Sequence, residues 1–537
     1  MKKRLLTALL SGALILTALA GCGQGAENQS GANDASAGGE SGARDELIFV
    51  NYRDIRDLNP HLYAGEMYAQ SILYDTLVSN TREGYVGCLA EDWTISEDGR
   101  TYTFNIRDGV TFSDGTPCDA NAILANFNAI LENRERHTWL EMMNLLVGVS
   151  APDEDTFVIE MSEPYYPMLT ELACIRPFAM ISPNCMIDGS TMNGVNGYIG
   201  TGPYVLTDFV TDEYAVFERN ENYWGEAPAI QKITVKVIPD NQTRIMALEN
   251  EEIDLIFGKN MLDADAISQY VDSDRFTVSL SDPTSTRHIV LNTTHDILGD
   301  TAVRKALQHA TNRQAISEGI FYGLEPAADT LYSPTVPYCD VDLEPYAYDT
   351  EEAARLLDEA GWVMGSDGGR SKNGQKLELD LLYNSDSVTE KTISEYLQSE
   401  YLKLGISLNI HGEEEQSYRD NMKAGNFDMV FNICWGMPYD PQSSLAAMRA
   451  PVYGDYAAQQ GLEDKAEIDQ AITDILTSTD EAERQELYDF VLTRLHEDAV
   501  YIPLTYETNK ALYTSELKGV HFGTDQYDVD FASMYFE

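Results

Sequence analysis

The chain has 537 residues, 88 of them acidic and 36 basic, giving a formal charge of −52 at pH 7. So acidic a surface repels polyanions, which argues against nucleic acid and anionic lipid as partners. The acids are dispersed, the longest run being Glu413-Glu414-Glu415, and no alternating-Asp calcium loop occurs, so the charge reads as a solvated surface. The length suffices for two or three domains with sizeable cores.

At the N-terminus, Lys2, Lys3 and Arg4 precede an apolar stretch from Leu5 to Ala20, the charged and apolar regions of a secretory signal. That stretch is too short to span a bilayer comfortably, and no later one approaches spanning length. It ends in Leu19-Ala20-Gly21-Cys22, which is similar to the lipobox where a lipoprotein signal peptide is cut before a diacylated cysteine. The similarity implies a signal peptide over 1–21, lipidation of Cys22 and membrane attachment through lipid alone. A cut elsewhere would give a soluble secreted protein. Residues 22–44 are rich in Gly, Ser, Ala and Asn, a composition that buries no core and behaves as a flexible tether. Folding is expected to begin near Asp45.

Further along, period-two alternation predicts strands at Tyr102, Phe104 and Ile106, at Phe157, Ile159 and Met161, at Ile233, Val235 and Val237, and at Leu377, Leu379 and Leu381. Asp-Gly pairs at 98–99, 108–109 and 114–115 mark turns. Helical periodicity covers 118–132, 301–322, 350–360, 387–404 and 464–497, with Asp349 before the third helix and Gly361 and Gly405 just past two ends. Strands and helices alternate throughout, which predicts an α/β architecture with parallel or mixed sheets. No fixed-period repeat points to a solenoid or propeller.

Six further cysteines, Cys88, Cys118, Cys174, Cys185, Cys339 and Cys434, include no Cys-x-x-Cys pair, so no zinc framework is expected. Cys174 and Cys185 are near enough for a disulfide, with buried thiols as the alternative. The eight histidines are dispersed with no i, i+4 pair, which makes a preformed all-protein metal cage improbable. No nucleophile elbow, phosphate loop or dinucleotide fingerprint occurs in its required context, and no enzymatic constellation emerges. What stands out in a cation-poor chain is Arg134, Arg136, Trp139, Arg176, Trp435 and Tyr439. Arg forks beside aromatic rings suit a carboxylate-bearing ligand; surface ion pairs and core aromatics are the plainer alternatives.

The segments Asn59-Pro60-His61-Leu62-Tyr63, Ile199-Gly200-Thr201-Gly202-Pro203-Tyr204, Asn220-Glu221-Asn222-Tyr223-Trp224-Gly225 and Tyr348-Asp349 through Trp362 resemble the peptide/nickel class of ABC-importer solute-binding proteins, over about 46–512. Glu132 to Glu141, Tyr165-Tyr166-Pro167, Arg176-Pro177-Phe178, Thr191 to Gly194 and Trp435 to Pro441 resemble its nickel-importer branch in particular. The resemblance implies a type II periplasmic-binding-protein fold. Two lobes would close at a hinge formed by chain crossings near 282–290 and 500–510, with an extra domain in the first lobe. The implied division is 45–285 for that lobe, 286–503 for the second and 504–537 for a C-terminal return to the first.

The function implied is capture of a small solute for the importer's permease subunits by a monomer, without catalysis or cofactor. The ligand implied is a nickel or other transition-metal chelate, such as nickel-histidine or a nickel or cobalt metallophore complex. A dipeptide or oligopeptide is the alternative ligand, and an extracellular hydrolase the alternative class. Carried over by position, Arg176 is the carboxylate anchor, Arg136 a second cation, and Tyr63, Met67, Trp139, Trp435 and Tyr439 line the pocket. Two positions depart from the branch: Tyr453 stands where a histidine reaches the metal, and Arg419 where a tyrosine lines the pocket. Direct protein-to-metal bonding through Tyr453 is therefore in question, while Arg419, or Arg449 in the same loop as Tyr453, would suit a ligand richer in carboxylates. Arg176 is expected to matter for capture and to be near-silent for folding.

Overall fold

The computed structural model describes residues 44–537 apart from 82, 83, 260, 435–440, 525, 526 and 528. Cys22, the leader, Trp435 and Tyr439 lie outside the described residues.

The architecture is a two-lobed α/β fold built on one ten-stranded mixed sheet. In spatial order its strands are Tyr204–Val210, Tyr214–Arg219, Lys232–Val237, Glu46–Asn51, Leu255–Phe257, Tyr501–Thr514, Phe276–Leu291, Met429–Cys434, Glu378–Asn384 and Ser407–Glu413. Glu46–Asn51 and Glu378–Asn384 each run parallel to both neighbours; the other neighbours are antiparallel. Each half has its own apolar core, one around Phe49, Ile233 and Leu255 and the other around Leu291, Leu381 and Phe431.

The halves are joined by the two longest strands, Phe276–Leu291 and Tyr501–Thr514, paired antiparallel from Phe276↔Thr514 to Val290↔Tyr501. Thirteen of the fourteen positions of Tyr501–Thr514 are buried, as a strand covered on both faces requires. The register slips between Leu280 and Pro283, between Pro283 and Ser285, and between Arg287 and His288. Pro283 has no N–H to give the ladder, and such irregularities bend a strand and raise its twist. The pair is thus most pliable where it passes from one half to the other.

A four-stranded antiparallel sheet, ordered Ala90–Ile95, Thr101–Ile106, Thr156–Met161 and Leu146–Ser150, forms the extra domain. The helix Ala120–Glu132 packs on it through Phe127, whose ring lies 4.8 Å from Phe157 and 5.9 Å from Phe178. Asp119 begins that helix by accepting the N–H of Ala122, an N-cap.

Two expected helices are each broken in two. The periodicity over 301–322 divides into Thr301–Ala310 and Arg313–Ile320, because Asn312 caps the second by accepting from Ala315. That over 464–497 divides into Lys465–Thr477 and Glu481–Glu497, with Asp480 accepting from Ala482 and Glu483. In both cases apolar residues keep helical spacing on either side of the cap, so spacing alone reads as one helix. The six described cysteines are buried thiols, which decides between the two readings of Cys174 and Cys185. Among the described residues no helix is long and apolar enough to cross a membrane.

Candidate ligand-binding site

The Asn59-Pro60-His61-Leu62-Tyr63 segment is a wound turn. Leu62 N–H donates to the Asn59 carbonyl at 3.2 Å, and Asn59 donates its side-chain amide to Thr191 O at 2.8 Å. His61 is 1 % exposed and sits between Thr191 Oγ1 at 2.9 Å and Ala179 O at 3.3 Å. Burial lowers its pKa to about 3, so the ring is a neutral structural wedge. The turn delivers Tyr63 to the cavity mouth and sends the chain into the helix Met67–Leu73.

Arg176 lies against that helix. Its Nε donates to Gln70 Oε1 at 2.6 Å and its Nη2 to the Gly65 carbonyl; Gln70 in turn donates to Asn59 O at 3.1 Å. Gly65 is required by close approach, since a Cβ there would stand 2.4 Å from the Asp57 carbonyl. Arg176 is only 8 % exposed, and its guanidinium is held on two sides, which fixes its orientation in advance of any partner. The expectation that Arg176 is near-silent for folding is therefore corrected: it is a buried donor to two acceptors.

An aromatic group stands beside it. Trp139 donates its indole N–H to Tyr63 Oη at 2.8 Å, and Tyr63 Oη lies 2.7 Å from His137 Nδ1. An indole nitrogen can only donate, so the Tyr63 hydroxyl accepts there and shares its second hydrogen bond with His137 Nδ1. The other ring nitrogen, His137 Nε2, is buried and has no hydrogen-bond partner. Burial, then the Arg136 charge, lowers the pKa of His137 to about 4, and burial raises that of Tyr63 to about 12; both are neutral in ordinary buffer. The exposed Arg136 guanidinium stacks 5.6 Å over the Tyr63 ring.

These residues border a cavity of about 630 Å³ lined by Tyr63, Met67, Trp139 and Arg176 together with Arg53, Glu66, Lys259 and the ring of Tyr52. Its size falls in the range of small-molecule sites. Its charged lining is three cations and one acid in a protein of charge −52. The acid is engaged: Glu66 takes Arg53 Nε at 2.5 Å and the Asn51 amide at 3.1 Å.

Four of the expected site residues, Tyr63, Met67, Trp139 and Arg176, thus share one cavity, with Arg136 stacked at its edge. On the other lobe, Tyr453 precedes the helix Gly454–Gln459, half-buried and within the field of Arg419. Arg419 is exposed and pairs with Glu415, while Arg449 donates to Thr473 Oγ1 at 2.7 Å. These three do not line the described cavity. Lys259, Arg53 and His137 went unnoticed in the sequence. His137 stands between two chosen residues, whereas nothing local marks Lys259. Among the described residues no group of three His, Cys, Asp or Glu side chains could hold a metal ion.

Two lobes joined at a bent strand pair, with a cation-lined cavity on the half built around Phe49 and Leu255, define a solute-binding receptor. The chain belongs to the bacterial extracellular solute-binding proteins, family 5, whose middle region matches residues 84–455. It is 42% identical over 494 residues to the nickel-binding periplasmic protein of Escherichia coli K12, covering 91% of this chain and 94% of that one. The crystal structure of NikA from Brucella suis in complex with Fe(III)-EDTA superposes with a TM-score of 0.88 at 42% identity, covering 92% of this chain and 100% of that one. The dipeptide-binding protein of Escherichia coli K12 is 26% identical over 506 residues, 88% of this chain and 91% of that one.

Proposed function

We propose that the protein is the extracytoplasmic receptor of an ABC importer and captures a transition-metal ion already wrapped in a carboxylate-bearing chelator, nickel-histidine or a nickel or cobalt metallophore complex. The observation that carries this is the cavity's charge: Arg53, Arg176 and Lys259 face it, and its one acid is already paired. A carboxylate entering such a site exchanges water for fixed N–H donors, and charge-assisted bonds are about twice as strong as neutral ones. Two relatives, a nickel-binding periplasmic protein and a NikA crystallised with Fe(III)-EDTA, point the same way.

A peptide ligand is the second reading, favoured by the dipeptide-binding relative. It needs an anion for the peptide's ammonium group, and Glu66 already serves Arg53 and Asn51. Calorimetry decides: nickel with excess histidine, or Fe(III)-EDTA, should bind, and a dipeptide pool should not. Heat from the peptides alone would replace the first reading by the second.

In this account residues 45–285 form the first lobe, 286–503 the second and 504–537 the return, closing over the ligand about the long strand pair. The receptor works as a monomer, turns nothing over and releases its cargo to the permease. Cys22 carries the lipid that holds it at the membrane, with 22–44 as its leash.

A further inference from the structure

The strand pair carries a buried group of charges that the cavity does not need in order to exist. Glu507, in Tyr501–Thr514, receives Arg287 on one carboxylate oxygen, and Lys259 and the Ser285 hydroxyl on the other. Glu325 receives Lys510 at 3.1 Å and Thr505 Oγ1 at 2.9 Å, with Arg287 3.8 Å away. Both glutamate side chains are at most 4 % exposed. Three cations thus meet two paired carboxylates; Glu390 acts on Arg287 through its charge but is not among the ion-paired partners.

Glu507 is satisfied without Lys259, since Arg287 and Ser285 already serve both its oxygens. Lys259 is the cation in excess, and it is the one with access to a ligand. It lines the 630 Å³ cavity with Arg176 and also a 550 Å³ cavity beside the strand pair with Arg287 and Lys510. Its ammonium has three N–H donors, of which Glu507 and Ser285 Oγ, at 2.9 Å, take two. Its side chain is 18 % exposed.

We propose that Lys259 is a ligand-contacting residue. Its third N–H takes a carboxylate of the bound chelate, so that the ligand is a polycarboxylate held at two places, by Arg176 beside the 63–68 turn and by Lys259 at the hinge. This rests on the chelate reading and narrows it to chelators with at least two outward carboxylates. It also connects the ligand to the hinge through one side chain, because the ammonium that takes the carboxylate is bonded to Glu507 of the crossing strand.

The test compares Fe(III)-EDTA with the Fe(III) complex of its hydroxyethyl triacetate analogue, in which one carboxylate arm is replaced by an alcohol. Wild type should prefer EDTA by roughly 10- to 100-fold, the worth of one hydrogen bond to a charged group. Lys259→Met should bind both chelates alike, and Lys259→Arg should restore the preference. The comparison is a double-mutant cycle, so a general loss of stability cancels. A Lys259→Met protein that keeps the wild-type ratio while Arg176→Lys loses affinity overturns this inference and leaves the chelate reading standing. Wild type binding neither complex overturns both. Should Lys259→Met not fold, a crystal structure of wild type with Fe(III)-EDTA decides: a carboxylate oxygen within hydrogen-bond distance of Nζ supports the assignment, and a ligand out of its reach ends it.

Discussion

Replacing Arg176 by Ala removes the donor that Gln70 Oε1 and the Gly65 carbonyl share. Stranded buried acceptors cost about 1–3 kcal/mol each. Arg176→Ala should therefore lower the urea midpoint as well as abolish chelate binding, whereas exposed Arg136→Ala should weaken binding and leave the melt unchanged. Equal midpoints for wild type and Arg176→Ala would contradict the geometry. Two buried rings set the acid response. His61 and His137 titrate at about 3 and about 4 in the fold because burial disfavours the cation, against about 6.5 when unfolded. Between those limits the unfolded chain binds more protons, so stability is full above about pH 6.5 and falls as the pH drops toward 3, by up to about 1.4 kcal/mol per pH unit for each ring. Glu507 extends the loss lower: burial pushes its carboxyl up, but Arg287 and Lys259 outweigh burial and bring it to about 2. Urea melts from neutral to about pH 4 test this. His61→Gln should flatten the slope, and an unaltered slope would rule His61 out as its source.

At the scale of elements, the segment Tyr165-Tyr166-Pro167 at the end of the extra domain reaches across to the second lobe. Tyr166 N–H donates to Leu476 O at 3.1 Å, its hydroxyl donates to Glu481 at 2.7 Å, and its ring lies 3.4 Å from the guanidinium carbon of the fully buried Arg484. Tyr338 covers Arg484 from another side at 5.0 Å. A cation between rings, removed from water, is attracted by about 2 kcal/mol. Tyr166→Ala should thus favour the open receptor, seen as a larger radius of gyration in small-angle scattering and a faster ligand off-rate, with Tyr166→Phe between the two. Unchanged scattering and off-rate in Tyr166→Ala would show that the contact does not hold the lobes. Such pairings, hundreds of residues apart, are what the sequence could not disclose. The strands at 101–106, 156–161 and 232–237 were legible because burial on one face alternates residue by residue. Arg176 and Trp139 stood out as an Arg and a ring in a cation-poor chain. Lys259 lies just past a three-residue strand, and its meaning comes only from Glu507 and Ser285, brought beside it by sheet pairing.

For the whole molecule, the proposed lipidation of Cys22 makes a simple prediction: Cys22→Ala should move the protein from the detergent phase to the aqueous phase in phase partition while leaving chelate affinity unchanged. Detergent-phase retention by that variant would place the anchor elsewhere. The position of Tyr501–Thr514 has a different kind of consequence. This late strand lies between Leu255–Phe257 and Phe276–Leu291, in the interior of the sheet rather than at its edge. During synthesis the two earlier strands have to wait, with unpaired edges, for a partner more than 200 residues away, and such distant pairing is slow. The chain is thereby kept from completing its sheet until almost all of it has emerged, which is the condition a polypeptide threaded unfolded across a membrane has to meet.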